Sequence, residues 1–344
     1  MEISFGGRIV RSFILSHRTT DKEEYWQNIL NVVDWSERYG CTGVLLFEGN
    51  DTYVSPWMAA HAAIARTEHL CPLIAVNPVY MHPFSAAKMV SSFVQMYGRK
   101  VYLNMITGTA LNYLESMRDE VSHDERYDRL GEYIQIMRQL LKSTSPVTFQ
   151  GKFFHVKDLA LLPGVPPELQ PEFLLSGQSD AARQVTREVG AIGTQMLSPQ
   201  FENGLNDAKA MNFGVLTRPT AEEAWEVAHE TFPDDEENQM IQEFSMQNTD
   251  SVWKKRMAIA AKLPDDTASG YWMGPFRNFR ADGPYLVGSY ERVAEAFAAL
   301  IQAGIDVFIF DLTPREEEYN HIAQAFELAR TELTGIGTVS GQVS

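Results

Sequence analysis

Eight short apolar runs alternate with longer amphipathic stretches along this chain of 344 residues. The runs are rich in β-branched and aromatic residues, as buried strands are, and the stretches between them repeat apolar residues at helical spacing. Eight strand–helix repeats with short connections are typical of a parallel sheet that closes into a (β/α)8 TIM barrel. The predicted strands are Ile9–Ser16, Gly43–Phe47, Leu70–Val76, Val101–Ile106, Glu172–Leu175, Ile192–Leu197, Phe213–Leu216 and Asp306–Phe310.

An open, doubly wound parallel sheet is the alternative architecture. Such a sheet usually has fewer strands and a glycine-rich first turn, and no G-x-G-x-x-G motif follows the first predicted strand here. We therefore expect an α/β fold of the barrel type, with one domain over residues 1–334, because α/β barrels of this length are single domains. The Gly-, Ser- and Thr-rich residues 335–344 are expected to form a flexible tail.

Two segments depart from a minimal barrel. The residues from Val147 to Val156 have the pattern of a hairpin with Gln150-Gly151 as its turn. An insertion over about 234–285 precedes the last repeat, and long insertions at barrel strand ends are often lids or binding loops. It is either a cover for the active site or a surface for a partner subunit, and the aromatic residues that would form either are Tyr271, Trp272, Phe276 and Phe279.

The charge and composition exclude several classes of protein. The net charge is −16 at pH 7, which disfavours binding to nucleic acid and to anionic membranes. No apolar run approaches the length of a membrane span, and no signal peptide pattern precedes the first strand, so we expect a cytoplasmic protein. The two cysteines cannot form a disulfide framework, and no metal-binding motif is present, so we expect no metal site.

Candidate functional residues lie at the carboxyl ends of the predicted strands, where barrel active sites are built. His17 follows the first strand, and it is either a solvated loop residue or a group that handles protons. Glu48 follows the second strand. Asn104 and Thr107 end the fourth, and a buried Asn104 needs partners, because an unmet amide costs about 1–3 kcal/mol.

The junction from Leu175 to Ala181 has the pattern of a strand, a tight turn and a helix start. Gly177 would let the main chain approach a ligand closely, and Ser179 can cap the helix. Such a junction can hold a phosphate, although ordinary helix caps have the same pattern. Similarly, helical spacing alone would make Arg126 a surface charge and Tyr127 a core aromatic.

Four segments together carry a resemblance to a known family. They are Gly40–Leu46, the strand end Asn104–Gly108, the helix and hairpin from Glu125 to Phe154, and the turn Gly177–Ala181. Their order and spacing over residues 9–200, and more loosely to about 330, resemble the bacterial luciferase-like flavin monooxygenases. The most similar subgroup contains alkanesulfonate monooxygenase and pyrimidine oxygenase.

The resemblance implies a site for reduced FMN. Asn104 and Thr107 would contact the isoalloxazine edge, and Arg126, Tyr127 and Ser179 would reach the ribityl phosphate at the turn that contains Gly177. A phosphate dianion gains from a helix N-terminus, a guanidinium and hydroxyl groups, so the implied set is chemically consistent. The resemblance also implies a separate NAD(P)H-dependent flavin reductase and a homodimer or homotetramer.

The implied reaction is a monooxygenation with O2 as co-substrate. Reduced flavin would react with O2 to give a flavin peroxide, which transfers one oxygen atom to a small organic substrate. His17 matches a histidine after the first strand of the subgroup, and it is the candidate catalytic residue. Glu48, Arg277 and Arg280 are candidate substrate contacts, the arginines as counterparts of a mobile-loop arginine in that subgroup.

The substrate is left open by the sequence. Asn212 and Gly214 stand where the sulfonate-oxidising members have an arginine and a histidine, so an alkanesulfonate is not expected. Two other functions stay open. One is a dehydrogenase or reductase of the same superfamily that uses a deazaflavin or FMN. The other is a flavin-binding relative without turnover.

Overall fold

The computed structural model describes residues 1–16, 21–108, 110–142, 145–199 and 208–339, with side chains up to residue 335. By their internal contacts, the residues form two compact units. The first unit contains residues 1–44, 195–247 and 253–344, and the second contains residues 45–194 and 248–252.

The strands are β1 (Glu2–Phe5), β2 (Arg8–Leu15), β3 (Gly43–Leu46), β4 (Leu73–Val76), β5 (Tyr102–Met105), β6 (Val147–Gln150), β7 (His155–Leu159), β8 (Glu172–Ser176), β9 (Ile192–Met196), β10 (Ala210–Arg218), β11 (Tyr271–Trp272), β12 (Tyr285–Ser289) and β13 (Val307–Asp311). The helices are α1 (Lys22–Arg38), α2 (Pro56–Arg66), α3 (Pro83–Tyr97), α4 (Leu111–Ser116), α5 (His123–Lys142), α6 (Asp180–Val189), α7 (Ala221–Thr231), α8 (Glu236–Ser245), α9 (Val252–Ala260), α10 (Gly274–Arg277), α11 (Tyr290–Gln302) and α12 (Glu316–Val339).

In the second unit, a parallel sheet runs from β4 through β5 and β8 to β9. The register pairs Asn104 with Leu174 and Ser176 with Thr194, so the carboxyl ends of β5, β8 and β9 are neighbours. Strands β4 and β5 and the interior of β8 are buried on both faces, as parallel strands covered by helices are. Helix α5 packs against α3 and α6 within the unit.

In the first unit, β13 pairs in parallel with β2 and with the first half of β10. The second half of β10, from Gly214 to Arg218, pairs in parallel with β12. The antiparallel β1 precedes β2, and the turn between them is Gly6-Gly7, both at positive φ, which a two-residue hairpin turn needs.

The eight predicted parallel strands are β2, β3, β4, β5, β8, β9, β10 and β13, with helices between them, and the predicted (β/α)8 barrel class is confirmed. Analysis of the sequence missed β12, a short strand whose last residue, Ser289, also caps α11. The helical pattern over Pro199–Lys209, which follows the sixth predicted strand in the sequence, falls mostly on residues 200–207, outside the described residues. Helix α12 continues past Leu333 to Val339. The flexible tail over residues 335–344 and the single domain over residues 1–334 stay predictions.

The predicted hairpin is present as β6 and β7, but its turn is Gly151–Phe154 rather than Gln150-Gly151. The reason lies on α5, where the Glu132 carboxylate accepts hydrogen bonds from the backbone N–H groups of Lys152, Phe153 and Phe154 at 2.6, 2.9 and 3.0 Å. A half-buried carboxylate that is distant in sequence thus sets a wider loop than local turn chemistry predicts.

Most of the aromatic residues in the insertion belong to the core of the first unit. Tyr271, Trp272 and Phe276 are buried, and Trp272 packs against Phe232 and Tyr285. Phe279 is the exposed member of the set. Over the described part of the chain, no helix combines the length and apolarity needed to cross a membrane.

Candidate active site

A narrow cradle in the second unit lies between the start of α6 and Tyr127 of α5. A Cβ atom on Gly177 would overlap the Tyr127 hydroxyl and lie 2.7 Å from Cβ of Ala182, so the position accepts no side chain. Tyr127 is buried, with its hydroxyl near those of Thr107 and Ser179. Burial raises the pKa of Tyr127, so the phenol is a neutral hydrogen-bond donor at physiological pH.

The first turn of α6 presents backbone N–H groups at this cradle. Ser179 is the N-cap, and its Oγ accepts the N–H of Ala182 at 3.1 Å. Among the described residues, no acceptor is found for the N–H groups of Asp180 and Ala181, as is usual at a helix start. The predicted helix cap is therefore present, and Gly177, which has no room for a side chain, lies two residues before it.

The end of β5 brings polar groups beside the cradle. Asn104 and Thr107 are both buried, and the Ser176 hydroxyl donates to Oδ1 of Asn104 at 2.8 Å. This bond provides the partner that a buried Asn104 needs. The following Gly108 has φ +82 and lies close to Asn77, which keeps the chain tight against the ends of β4 and β5.

Arg126 is buried, so it is not the surface charge that helical spacing alone would make it. Its Nη2 donates to both carboxylate oxygens of Asp250 at 2.8 and 2.7 Å, and its Nη1 donates to the Val121 carbonyl at 3.3 Å. Its Nε is buried and has no hydrogen-bond partner within the described part of the chain. The segment that carries Asp250 is also held by Asn248, whose amide exchanges hydrogen bonds with Asn112 at 2.9 and 2.6 Å.

Glu48 lies in the loop after β3, in a partly buried position. Burial raises its pKa to about 7, although a hydrogen bond from the Gly49 backbone works in the opposite direction. Burial and the nearby Glu48 also raise the pKa of Tyr80 to about 12, and the Tyr80 hydroxyl donates to Asn50 at 2.6 Å. Glu48 therefore changes charge near neutral pH beside a neutral phenol.

The other candidate residues lie in the first unit. Arg277 makes a two-point ion pair with Asp265 at 2.8 and 2.7 Å, and Arg280 lies 3.6 Å from a carboxylate oxygen of Asp235. Both arginines are therefore engaged by acidic residues of the insertion. His17 lies outside the described residues.

Two residues of interest, Thr194 and Asp250, were not predicted from the sequence. Thr194 is buried, its hydroxyl has no partner, and it pairs with Ser176 across β8 and β9. Asp250 is 124 positions from Arg126 in the sequence, and no local pattern indicates their pairing. Burial, with Asp282 nearby, raises the pKa of Asp311 to about 7. Within the described ranges, no group of three or more acidic, histidine or cysteine side chains is placed to hold a metal ion.

Comparisons with known proteins bear on the family. The model of the luciferase-like monooxygenases matches residues 10–200. The 4-(gamma-L-glutamylamino)butanoyl-[BtrI acyl-carrier protein] monooxygenase BtrO of Niallia circulans is 30% identical over 318 residues, which are 89% of this chain and 92% of that protein.

Two solved structures share the fold. An F420-dependent secondary alcohol dehydrogenase in complex with an F420-acetone adduct has a TM-score of 0.65 at 16% identity, over 93% of this chain and 99% of that chain. The other structure is the oxygenating constituent of 3,6-diketocamphane monooxygenase from Pseudomonas putida, in complex with FMN. It has a TM-score of 0.64 at 16% identity, over 94% of this chain and 97% of that chain. Because the family model matches more than half of the chain and BtrO aligns with most of it, the chain belongs to the family of luciferase-like flavin monooxygenases.

Proposed function

We propose that this protein is a two-component monooxygenase that uses FMNH2 and O2 to transfer one oxygen atom to an acyl substrate. The observation that carries the proposal is the cradle at Gly177, where the start of α6 meets the Tyr127 hydroxyl with no room for a side chain. Helix N-termini with free N–H groups bind phosphate, and FMN ends in a phosphate dianion.

The residues present fit this cofactor. The N–H groups of Asp180 and Ala181 and the hydroxyls of Ser179 and Tyr127 would hold the phosphate. Arg126 would add charge, and since its Nη2 is paired with Asp250, the phosphate would share or replace that carboxylate. Two buried groups without partners, Nε of Arg126 and Oγ1 of Thr194, are consistent with a polar ligand in this unit.

The bound flavin supplies the activation of O2, and the chain supplies binding and orientation. Asn104 would contact the flavin edge in a fixed orientation, because Ser176 already donates to its Oδ1 and leaves the amide N–H2 group as a donor. Tyr127 stays protonated because it is buried, so it donates a hydrogen bond without adding a negative charge beside the phosphate. His17 remains the proposed catalytic residue.

The relatives support the class of substrate. BtrO acts on an acyl group attached to an acyl-carrier protein, and it is similar to this chain over nearly its full length. We extend that class to this protein and propose a carrier-bound acyl chain as substrate. We further propose an NAD(P)H-dependent flavin reductase as the source of FMNH2, and a homodimer or homotetramer as the assembly.

Loss of the two hydroxyls at the cradle should weaken FMN binding. Ser179→Ala combined with Tyr127→Phe is expected to cost about 1–3 kcal/mol of binding free energy, since each hydroxyl would donate to a charged group. Calorimetric titration of the apoprotein with FMN measures the change. Ser179→Asp, which keeps the helix cap but places a carboxylate at the phosphate, should weaken binding further.

The matched control for this test is Tyr133→Phe on the same helix. Tyr133 is fully buried and its hydroxyl has no partner among the residues that the structure describes, so its removal should leave FMN affinity unchanged. Unchanged FMN affinity in the double variant would place the phosphate elsewhere.

Tighter binding of a reduced deazaflavin than of FMNH2 would favour the dehydrogenase alternative, whose fold the F420-dependent enzyme shares. Oxygen consumption no higher than that of free flavin, across an acyl-substrate panel, would favour a relative without turnover.

Glu48 should make substrate binding depend on pH near neutrality. We propose that the protonated Glu48 donates a hydrogen bond to an acyl carbonyl, which a carboxylate cannot do. Because the pKa of Glu48 is about 7, KM should rise as pH increases through 7 in the native protein. Glu48→Gln keeps a donor at every pH, so its KM should stay flat over the same range.

Asp311 is the control for this pH dependence, because its pKa is also about 7. If Asp311→Asn flattens the dependence of KM on pH and Glu48→Gln does not, the substrate role passes from Glu48 to Asp311.

The stability of the folded protein provides a second readout for Glu48. The folded protein holds a proton on Glu48 between its ordinary pKa of 4.5 and about 7, so its contribution to stability falls as pH rises through that window. Glu48→Gln should remove that slope.

A further inference from the structure

Helix α9 and the turn after it form a basic surface on an acidic protein. Residues 252–263 contain four basic and no acidic side chains, although the whole chain has 45 acidic and 29 basic residues. Lys255, Arg256 and Lys262 are exposed, and none of the three forms an ion pair within the described residues. The fourth, Lys254, lies 3.6 Å from Asp282 and 5.5 Å from the Trp253 ring, and it is engaged locally.

The three free cations share one helical face with two exposed aliphatic residues. Hydrogen bonds from Ala261, Lys262 and Leu263 to the carbonyls three or four residues earlier extend the helical turn of α9. At 100° per residue, positions 255, 256, 259, 262 and 263 then lie within about a third of a turn. Ile259 is 68% exposed and Leu263 is 55% exposed, whereas Met257 on the opposite side is buried.

The mixture of free cations and exposed aliphatic groups indicates a protein partner. Two aliphatic side chains that are more than half exposed beside three cations give this face a mixed apolar and basic character. Within the described residues, Asp265 pairs with Arg277, Asp266 accepts hydrogen bonds from Ala268 and Ser269, and neither carboxylate forms an ion pair with the three cations. The partner that fits is acidic, with an apolar strip on a surface of similar size.

We propose that this face, Lys255, Arg256, Ile259, Lys262 and Leu263, docks the acidic carrier protein that delivers the acyl substrate. The proposal rests on the proposed substrate class. Carrier proteins of this kind are small, acidic helical domains that present the acyl group on a flexible arm. A short basic strip suits such a transient partner, because charge complementarity speeds encounter and gives specificity without a large buried area.

Charge reversal of the face tests the proposal. Lys255→Glu, Arg256→Glu and Lys262→Glu together should weaken binding of the carrier protein by at least about tenfold at low salt, with a smaller effect at high salt. Binding is measured by calorimetry with two probes. One is the carrier protein bearing the 4-(γ-L-glutamylamino)butanoyl group, and the other is the same protein without its pantetheine arm.

The matched control reverses three exposed lysines elsewhere, Lys22, Lys142 and Lys157, and changes the net charge by the same amount. This control should bind both probes as the native protein does. Ile259→Ser with Leu263→Ser should weaken binding without altering its salt dependence, because it removes only apolar contact. Thermal midpoints of all variants should match that of the native protein, since every substituted side chain is exposed.

Kinetics separate this proposal from the proposed function. With FMNH2 supplied chemically, the reversed variant should show a raised KM for the carrier-bound acyl group and native KM and kcat for the same acyl group on free pantetheine. A second outcome is that neither substrate is oxidised, while the native protein binds the carrier protein and the charge-reversed variant does not. In that case the proposed substrate class is wrong and the docking surface stands. Equal binding by the reversed variant and the control overturns the docking surface. The docking surface would also be overturned if the reversed variant lost activity only when a reductase supplies the FMNH2. The same conclusion would follow if the reversal abolished binding to anionic phospholipid vesicles and left binding of the carrier protein unchanged.

Discussion

Replacing Gly177 by valine is expected to weaken FMN binding by at least about 100-fold, which is about 2.7 kcal/mol of binding free energy. Even the Cβ atom of an alanine would overlap the Tyr127 hydroxyl and lie 2.7 Å from the Cβ of Ala182. The two methyl groups of valine would then stand where the main chain must approach the phosphate. Calorimetric titration with FMN measures the loss, and Gly177→Ala should lie between valine and the native residue.

The stability of these variants distinguishes a blocked cradle from a damaged fold. The overlap with Tyr127 also strains the protein, so Gly177→Ala should lower the thermal midpoint. Adding Tyr127→Phe removes the nearest atom and should restore part of that midpoint without restoring FMN affinity, because the hydroxyl ligand is lost as well. Native affinity in the valine variant would show that the phosphate does not lie at the start of α6.

Local chemistry explains why the cradle could be predicted. The order of an apolar strand, Gly177, Ser179 and a helical repeat lies within about a dozen residues, and each step has a short-range cause. The same holds for the alternation of strands and helices, since burial on both faces makes each parallel strand a continuous apolar run. These features need no knowledge of what lies elsewhere in the chain.

The features that could not be predicted depend on residues far apart in the sequence. Asp250 holds Arg126 across 124 positions, and Glu132 widens a hairpin turn about 20 positions away. Strand β12 was missed because its five residues pass directly into α11 through Ser289, without a turn between them. The raised pKa of Glu48 comes from burial, which spacing along the chain does not reveal.

The ion pair between Arg218 and Glu318 is the second place where a single substitution should have a large effect. Arg218 ends β10 and Glu318 lies in the first turn of α12, and their side chains are 5% and 2% exposed. The guanidinium donates to the two carboxylate oxygens at 3.0 and 2.6 Å, and Nη1 also donates to the Thr217 carbonyl at 2.7 Å. Burial alone would lower the pKa of Arg218, but the hydrogen bonds with Glu318 raise it above its ordinary value.

Glu318→Gln should therefore lower the free energy of unfolding by about 3–5 kcal/mol, because it removes the carboxylate that pairs directly with the buried Arg218 charge. Urea unfolding followed by circular dichroism measures the loss. Glu327→Gln on the same helix is the matched control, since the pair of Glu327 with Arg330 is 60% and 53% exposed and its loss should have a much smaller effect. Equal losses in the two variants would mean that water reaches Arg218 in the folded protein. A double change to Arg218→Met and Glu318→Leu should recover most of the stability, because the cost comes from the unpaired charge and not from loss of the pair itself.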